Sequence, residues 1–385
     1  MRRAYKFRAY LTRGQDGRAG ECLRDHCVLT NAALEERRVA WKRCATSVRY
    51  GAQSAQLKAI RQECPEQGRW SFSSQQATLR RLDKAFDAFF RRVKAGQKPG
   101  YPRFKSAGRF DSVEWPRDGD GCRWRPDDSR VYLQGIGQLK VHAHRRVEGV
   151  VKTITLKREG RRWYIVLSCD QVPAKPLPAA GREVGVDLGI ARFLTTSDGE
   201  VEPNPRFAHT SAAELAAAQE ALARKQRASK NRRRAKAKVA EVHRRVRARR
   251  HDFHHKTARR LVETCDTIAF EDLNVANMSR SAAGTLDAPG TNVAAKRGLN
   301  RSILDAGWAQ FVGILIAKAE EAGRRVVFVD PRHTSINCQR CGQRCTRPEQ
   351  ATVVCPRCGP CDADLNGARN IAARAGLGSG RAVAA

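Results

Sequence analysis

Long apolar runs are missing from this chain of 385 residues, and acidic residues are scarce in it. The most apolar stretch, around Phe311 to Ala319, falls far short of the ~20 residues a helix needs to cross a bilayer, so no membrane partner is expected. Met1 to Leu11 alternates charged and apolar residues instead of running apolar, and no secretory leader is expected there. Only 39 Asp+Glu stand against 73 Lys+Arg, a formal charge of +34. That surplus exceeds what solubility needs and implies a polyanion held through many phosphates, nucleic acid first among them. The hydrophobic share of 41% is ample for real cores, and the length suits two or three domains.

The 13 cysteines are unevenly placed, seven of them single up to Cys265 and six crowded between Cys338 and Cys361. Crowding in a chain expected in a reducing cytosol favours metal over disulfides. Cys338-x-x-Cys341, then thirteen residues, then Cys355-x-x-Cys358 is the most specific motif, with a glycine after each second cysteine. Four thiolates satisfy tetrahedral Zn²⁺, and a segment this short and polar needs such a tie, so the role read here is structural. Cys345 and Cys361 are extra, and either is an alternative ligand or a free thiol.

Tyr5, Phe7, Ala9 and Leu11 follow a period of two and predict an opening strand that pairs with something later. Gly20 to Lys94 reads as helices, with a capping box at Ser73 to Gln76 before a stripe of Leu79, Leu82, Phe86, Phe89 and Val93 read as core. In Gly100 to Trp115, Tyr101, Phe104 and Phe110 interleave with Arg103, Lys105 and Arg109, a mixture that suits base stacking plus backbone charge, or a surface loop anchored by aromatics. Strand patterns fill Val131 to Asp170, with a turn at Gly135 to Gly137 and a hairpin through Arg158 to Gly160, as in a small β-barrel. Gln171 to Gly181 holds three prolines and reads as the domain linker.

Beyond the linker, acidic residues sit at strand ends. Asp187 ends Val184-Gly-Val-Asp-Leu, a pattern shared with the phosphate-binding hairpin of actin-like kinases. Glu271-Asp272 follows the apolar Thr267 to Phe270, a strand at Arg325 to Val329 precedes Asp330, and Asp362 and Asp364 open a C-terminal helix through Asn366, Ala368 and Ile371. Carboxylates converging from separate elements repel one another unless a cation neutralises them, and magnesium or manganese suits oxygen ligands. Two such ions ~3.5–4 Å apart clamp the attacking and leaving oxygens of a phosphodiester. Between the first two acidic strands, Arg224 to Arg260 carries seventeen Lys or Arg, among them Arg232, Arg233, Lys236, Arg244 and Arg247. Val239, Val242, Val246 and Phe253 recur there at helical spacing, predicting one long helix with a narrow apolar seam and a basic face for phosphates. Asn277 to Arg297 is polar and Gly/Pro-containing, as a mobile loop would be.

Gly185-Val-Asp-Leu-Gly189, Phe270-Glu-Asp-Leu273, Val329-Asp-Pro-Arg-His-Thr-Ser335, the cysteine pairs and Asp364-Leu-Asn-Gly-Ala-Arg-Asn370 occur in that order. With the basic helix, Gly298 to Trp308 and Lys98 to Trp115, they resemble TnpB over nearly the whole chain. TnpB proteins come from bacterial insertion sequences and resemble compact ancestors of type V CRISPR effectors. The resemblance implies an α/β multidomain fold: a RuvC nuclease domain, RNase H-like, at 183–336 and 362–385 with a four-cysteine zinc finger at 337–361. It also implies a wedge β-barrel at 1–11 and 100–172, a helical recognition domain at 12–99 inserted in it, and a linker at 173–182. Asp187, Glu271 and Asp364 match the family's metal triad, favouring Glu271 over Asp272 and Asp364 over Asp362, while Cys338, Cys341, Cys355 and Cys358 match its zinc finger. The implied partners are a guide RNA from the transposon end and double-stranded DNA beside a short motif, in a bacterial cytoplasm near the nucleoid. Protein and base pairing divide the recognition there as in CRISPR effectors. Nothing in the chain resembles the tyrosine site of a strand-joining recombinase. The step from Cys358 to Asp364 is a residue shorter than usual for the family; a loop too short to deliver Asp364 would leave a guided DNA-binding protein or repressor that does not cut.

Overall fold

Tyr5, Phe7 and Ala9 alternate along the first strand, β1 (Arg3–Tyr10), and all three are buried. The computed structural model describes residues 1–285 and 287–377, so Leu286 and positions 378–385 lie outside the described residues. The chain divides into two compact units, Met1–Pro173 and the part from Ala174 onward.

In the first unit β1 is followed by four helices, α1 (Arg13–Cys44), α2 (Tyr50–Glu63), α3 (Pro65–Gly68) and α4 (Phe72–Lys94). The chain then returns to strand as β2 (Ser112–Trp115), β3 (Cys122–Arg125), β4 (Arg130–Leu133), β5 (Gly137–His142), β6 (Val150–Glu159) and β7 (Arg162–Asp170). The seven strands pair antiparallel in the order β2-β6-β7-β1-β5-β4-β3. The strand made first therefore lies in the middle, with Phe7 opposite Ile165 and Ala9 opposite Val141. The sheet curls until it nearly closes: Trp115 from one edge strand and Trp124 from the other share a core with Phe7, Leu139 and Ile165.

Three expectations fail locally. The basic segment ends in a strand, β2, and not in loop; the buried Phe110 just before it agrees with the reading of a loop anchored by aromatics. The alternation of β2 spans only four residues beside Gly and Pro, too few for a period to stand out. The cap of α4 is Ser71, whose hydroxyl accepts from the Ser74 amide, while Ser73 lies inside the helix. The stripe on α4 is core only in its first half: Leu79 and Leu82 are buried with Leu34 and Leu57, whereas Phe86 and Phe89 are half-buried and Val93 is exposed.

The second unit opens with β8 (Glu183–Leu188), β9 (Arg192–Thr196) and β10 (Val201–Pro203), then α5 (Phe207–Thr210), α6 (Ala212–Ala223) and α7 (Lys230–Thr264). It continues with β11 (Thr267–Glu271), α8 (Val275–Met278), α9 (Val293–Ala306), α10 (Trp308–Ala322), β12 (Arg325–Val329), β13 (Thr352–Cys355), β14 (Gly359–Asp362) and α11 (Ala363–Arg374). The sheet order is β10-β9-β8-β11-β12, with β8, β11 and β12 parallel and β9 and β10 antiparallel. One face, with Val184, Val186, Ile268 and Phe270, packs on Leu261 of α7 and on Phe311 and Leu315 of α10. The other face, with Ala269, meets Ile371 of α11.

The basic helix starts at Lys230 instead of Arg224, because Ala228 at φ 66° turns the chain and Ser229 caps the helix at its new start. The expected loop over Asn277 to Arg297 is shorter, since α9 already begins at Val293. Val293–Ala322 is long and apolar enough by length and composition to cross a membrane. Gly307, at φ 68°, splits it into two helices, and Trp308, Phe311, Leu315, Ala319 and Ala322 are core residues. The proline-rich segment is tied down within this unit: Lys175 and Leu177 donate to the Glu321 and Ala322 carbonyls, and Ala180 and Gly181 to the Asp266 carboxylate.

Candidate metal centres and nucleic-acid surface

Parallel pairing sets Phe270 beside Val186, so Asp187 and Glu271, one residue further along each strand, end neighbouring strands at the same edge. Asp364 comes from the first turn of α11. That helix lies hard against β8, where a Cβ on Gly185 would collide with the Ala368 carbonyl and the Ala372 amide. Only glycine lets helix and strand approach so closely. A Cβ on Gly367 would sit 3.4 Å from the carboxyl carbon of Asp187, and Asp364 lies one turn earlier on α11.

The electrostatics follow from this convergence. Burial, then the charges of Glu271 and Asp364, push the Asp187 carboxyl up to about 7. Burial raises Glu271 as well, held back by the Thr334 hydroxyl and Arg374, and burial followed by Asp362 raises Asp364 against the pull of Arg192. A partly buried oxygen set that resists ionisation fits a hard divalent cation, whose charge reverses the penalty. Asp362 is engaged otherwise, accepting from the Leu365 amide as the cap of α11 and pairing with Arg192 at 2.8 Å. Metal-free protein should lose stability as pH rises from about 4 to about 7, where the folded chain still holds the Asp187 proton that the unfolded chain has released, and level off above. Asp187→Asn should remove that slope and leave the variant the more stable by up to about 4 kcal/mol above pH 7; urea titrations across pH in chelator measure it.

Sequence reasoning missed the groups that hold these carboxylates. The buried Thr334 donates its hydroxyl to Glu271, and Arg192 bridges Asp362 and Asp364 at 2.8 and 3.7 Å. Asn366 donates to the Asn337 carbonyl at 2.8 Å and accepts from the Gln339 amide at 2.9 Å, and Asn370 donates to the Thr334 and Asn337 carbonyls. Thr334, Asn366 and Asn370 all lie inside motifs visible in the sequence; nothing there singles out Arg192.

Between β12 and α11, the Sγ atoms of Cys338, Cys341, Cys355 and Cys358 all lie within 4.8 Å of one another. Among the described residues this is the grouping that closes so tightly; the carboxylates do not. Burial raises Cys355, but the backbone amides of Cys358 and Arg357, together with the thiols of Cys341 and Cys338, outweigh it and bring the group down to about 6. Thiolates held by knuckle amides fit Zn²⁺. Cys345, buried nearby, is pushed up to about 11 by burial and then by the Cys355 and Cys338 thiolates, and neither it nor Cys361 belongs to the set of four.

Of the residues expected on nucleic acid, Arg233, Lys236 and Arg247 are exposed along α7. Arg232 is spent on the Leu222 and Lys225 carbonyls, and Arg244 is half-buried against Glu241. In the first unit Tyr101 and Arg103 are exposed, while the backbone of Lys105 is pinned to Asn31 of α1.

This near-closed sheet, second mixed sheet and cysteine cluster make a mixed α/β fold that the chain shares with a solved Cas12f1 structure. A solved Cas12f1-sgRNA-target DNA complex superposes with a TM-score of 0.53 at 14% identity, over 92% of this chain and 81% of that one. The IS605 OrfB family, described as a probable transposase, matches residues 164–282, and the Cas12f1-like TNB domain matches 308–371. The chain is 37% identical to a protein of Escherichia coli (strain K12) named as the RNA-guided DNA endonuclease InsQ, over 80% of this chain and 75% of that one. It is 34% identical to a protein of Streptomyces pristinaespiralis named as an RNA-guided DNA endonuclease, over 98% of this chain and 90% of that one. The chain belongs to the TnpB family.

Proposed function

We propose that this chain is an RNA-guided DNA endonuclease of an insertion sequence, hydrolysing phosphodiester bonds at Asp187, Glu271 and Asp364. The observation that carries the reading is the convergence of these carboxylates at one sheet edge, where burial and then the charges of Glu271 and Asp364 raise Asp187, in a chain of charge +34. Magnesium or manganese held there, as two ions, would neutralise the attacking and leaving oxygens of the phosphodiester. Asp187 and Glu271 are the fixed ligands on rigid strands; Asp364 closes the site from α11, and Thr334 and Arg192 aim Glu271 and Asp364. Zn²⁺ at the four cysteines is structural.

The domains of this reading are a wedge barrel (1–11 and 100–172) with the recognition helices (12–99), a linker (173–182), and a RuvC-type, RNase H-like nuclease (183–336 and 362–385) carrying the zinc finger (337–361). Exposed cations such as Arg233, Lys236 and Arg247 hold the phosphates of a guide RNA from the transposon end, which pairs with one DNA strand beside a short motif read by the protein. The work is done in the bacterial cytoplasm, at the nucleoid.

The test is to sequence the RNA that copurifies with the protein and to challenge the complex with a plasmid library carrying the matching target beside randomised flanks. Magnesium-dependent cutting of a subset with one flanking motif is the expected result; binding of that subset without cutting would make the protein a guided repressor. Thr334→Val, which strips one hydrogen bond from Glu271, should slow cutting about tenfold with RNA affinity unchanged. Single-turnover rates beside filter binding separate the two.

A further inference from the structure

The helices of the first unit enclose a cavity of about 320 Å³, walled by the C-terminal halves of α1 and α4, the turn between α1 and α2, and Tyr101. Trp41, Phe90 and Tyr101 turn aromatic surface to solvent there, 65%, 54% and 44% exposed. Phe86 and Phe89 meet Tyr101 at right angles, with ring centroids 5.6 and 5.3 Å away, which holds that ring in place. Arg37 lines the same cavity at 7% exposure. Its Nε and Nη1 donate to Gln53 and Asp83, both at 2.9 Å, and its Nη2 has no partner.

We infer that this cavity captures a single unstacked nucleobase, its ring against the aromatic wall of Trp41, Phe90 and Tyr101. Three properties select that occupant. The volume is at the small end of the roughly 300–1,000 Å³ of small-molecule pockets, room for one heterocycle and its sugar and not for a partner helix. Exposed aromatic faces stack on bases of any sequence. Cations fill the last turns of both walling helices, Lys42 and Arg43 in α1 and Arg91, Arg92 and Lys94 in α4, and Arg49 lines the cavity itself beside Asp83 and Asp87, charges suited to the phosphates flanking a captured base. The inference rests on the nucleic-acid reading above and adds to it a site that pulls one base out of a strand.

Trp41 is the exposed tryptophan, since Trp70, Trp115, Trp124, Trp163 and Trp308 are all 9% exposed or less, so its emission reports the cavity. The full chain is titrated with pentauridylate and with a ribose-phosphate pentamer lacking bases, following tryptophan emission and, separately, the anisotropy of end-labelled oligonucleotide. Pentauridylate should quench emission and the abasic pentamer should not. Phe90→Ala, at an exposed position, should weaken pentauridylate about tenfold, and Trp41→Phe should abolish the quench. Anisotropy that rises while emission stays fixed, or equal quenching by the abasic pentamer, would overturn the base cavity and leave nucleic-acid binding standing. No rise in anisotropy with either pentamer would sink the nucleic-acid reading and the cavity with it. Quenching that grows with protein concentration alone would assign the cavity to a second copy of the chain and overturn the inference.

Discussion

Asp187→Ala is expected to cut target cleavage by at least about a thousandfold while guide-RNA affinity stays within about twofold. The carboxylate lies at the centre of the acidic edge, where burial and both neighbouring charges act on it, and on the proposed reading its loss removes a cation ligand. Asp362 is committed to the α11 cap and to Arg192. Asp364→Asn should therefore approach the Asp187 variant in severity, whereas Asp362→Ala should cost chiefly the cap, about 1 kcal/mol of stability, with the Arg192 pair. Single-turnover cleavage of a matched plasmid with and without chelator measures the first effect, and filter binding of the copurified RNA the second. Undiminished cutting by Asp187→Ala would falsify the assignment of the site.

The second large effect concerns zinc. In the double variant Cys355→Ser/Cys358→Ser, bound zinc should fall from about one ion per chain to none. Cleavage should fall at least about a hundredfold, since a displacement near 1 Å at a catalytic group is enough for that. The link is the asparagine clamp: Asn366 and Asn370 of α11 hold the backbone of Asn337 and Gln339 beside the first cysteine pair, and Asn370 also holds Thr334, the partner of Glu271. When the knuckles loosen, Asp364 and Glu271 lose their bearings together. Amide exchange in α11 should quicken in the variant while the strands Glu183–Leu188 and Thr267–Glu271 stay protected. A zinc-free variant that cuts at the normal rate would dissociate the finger from the site.

Much of this was legible in the residues, for identifiable reasons. Strong period-two alternation marked β1, β6 and β7, apolar runs ending in acid marked β8 and β11, and paired thiols at fixed spacing marked the finger. The order of these motifs carried the family, and the family chose Glu271 and Asp364 where composition left their neighbours open. Short or mixed signals hid the rest. β2 and β3 have four residues each, so the strand ending in Trp115 passed for the end of a loop, one that binds or one anchored by aromatics such as Phe110. The break before Lys230 depends on one left-handed alanine, a conformation that no side chain announces. Arg232 and Arg244 looked like phosphate contacts because charge shows in a sequence and hydrogen-bond partners do not. The near approach of α11 to β8 was written in Gly185, whose purpose becomes visible only when the helix lies across it.

The place of β1 bears on how the protein comes to be folded at all. A ribosome delivers Arg3–Tyr10 first, yet both strands that flank it, Gly137–His142 and Arg162–Asp170, leave the exit tunnel well over a hundred residues later. Until then a strand with two unsatisfied edges waits, while the four helices next in the chain settle on local contacts. The barrel cannot grow in order of synthesis; it must close in a late step that threads the oldest strand between β5 and the youngest, β7. Moving Met1–Leu11 to a place after Asp170, on a flexible linker, should relieve that wait and fold faster without altering the finished sheet.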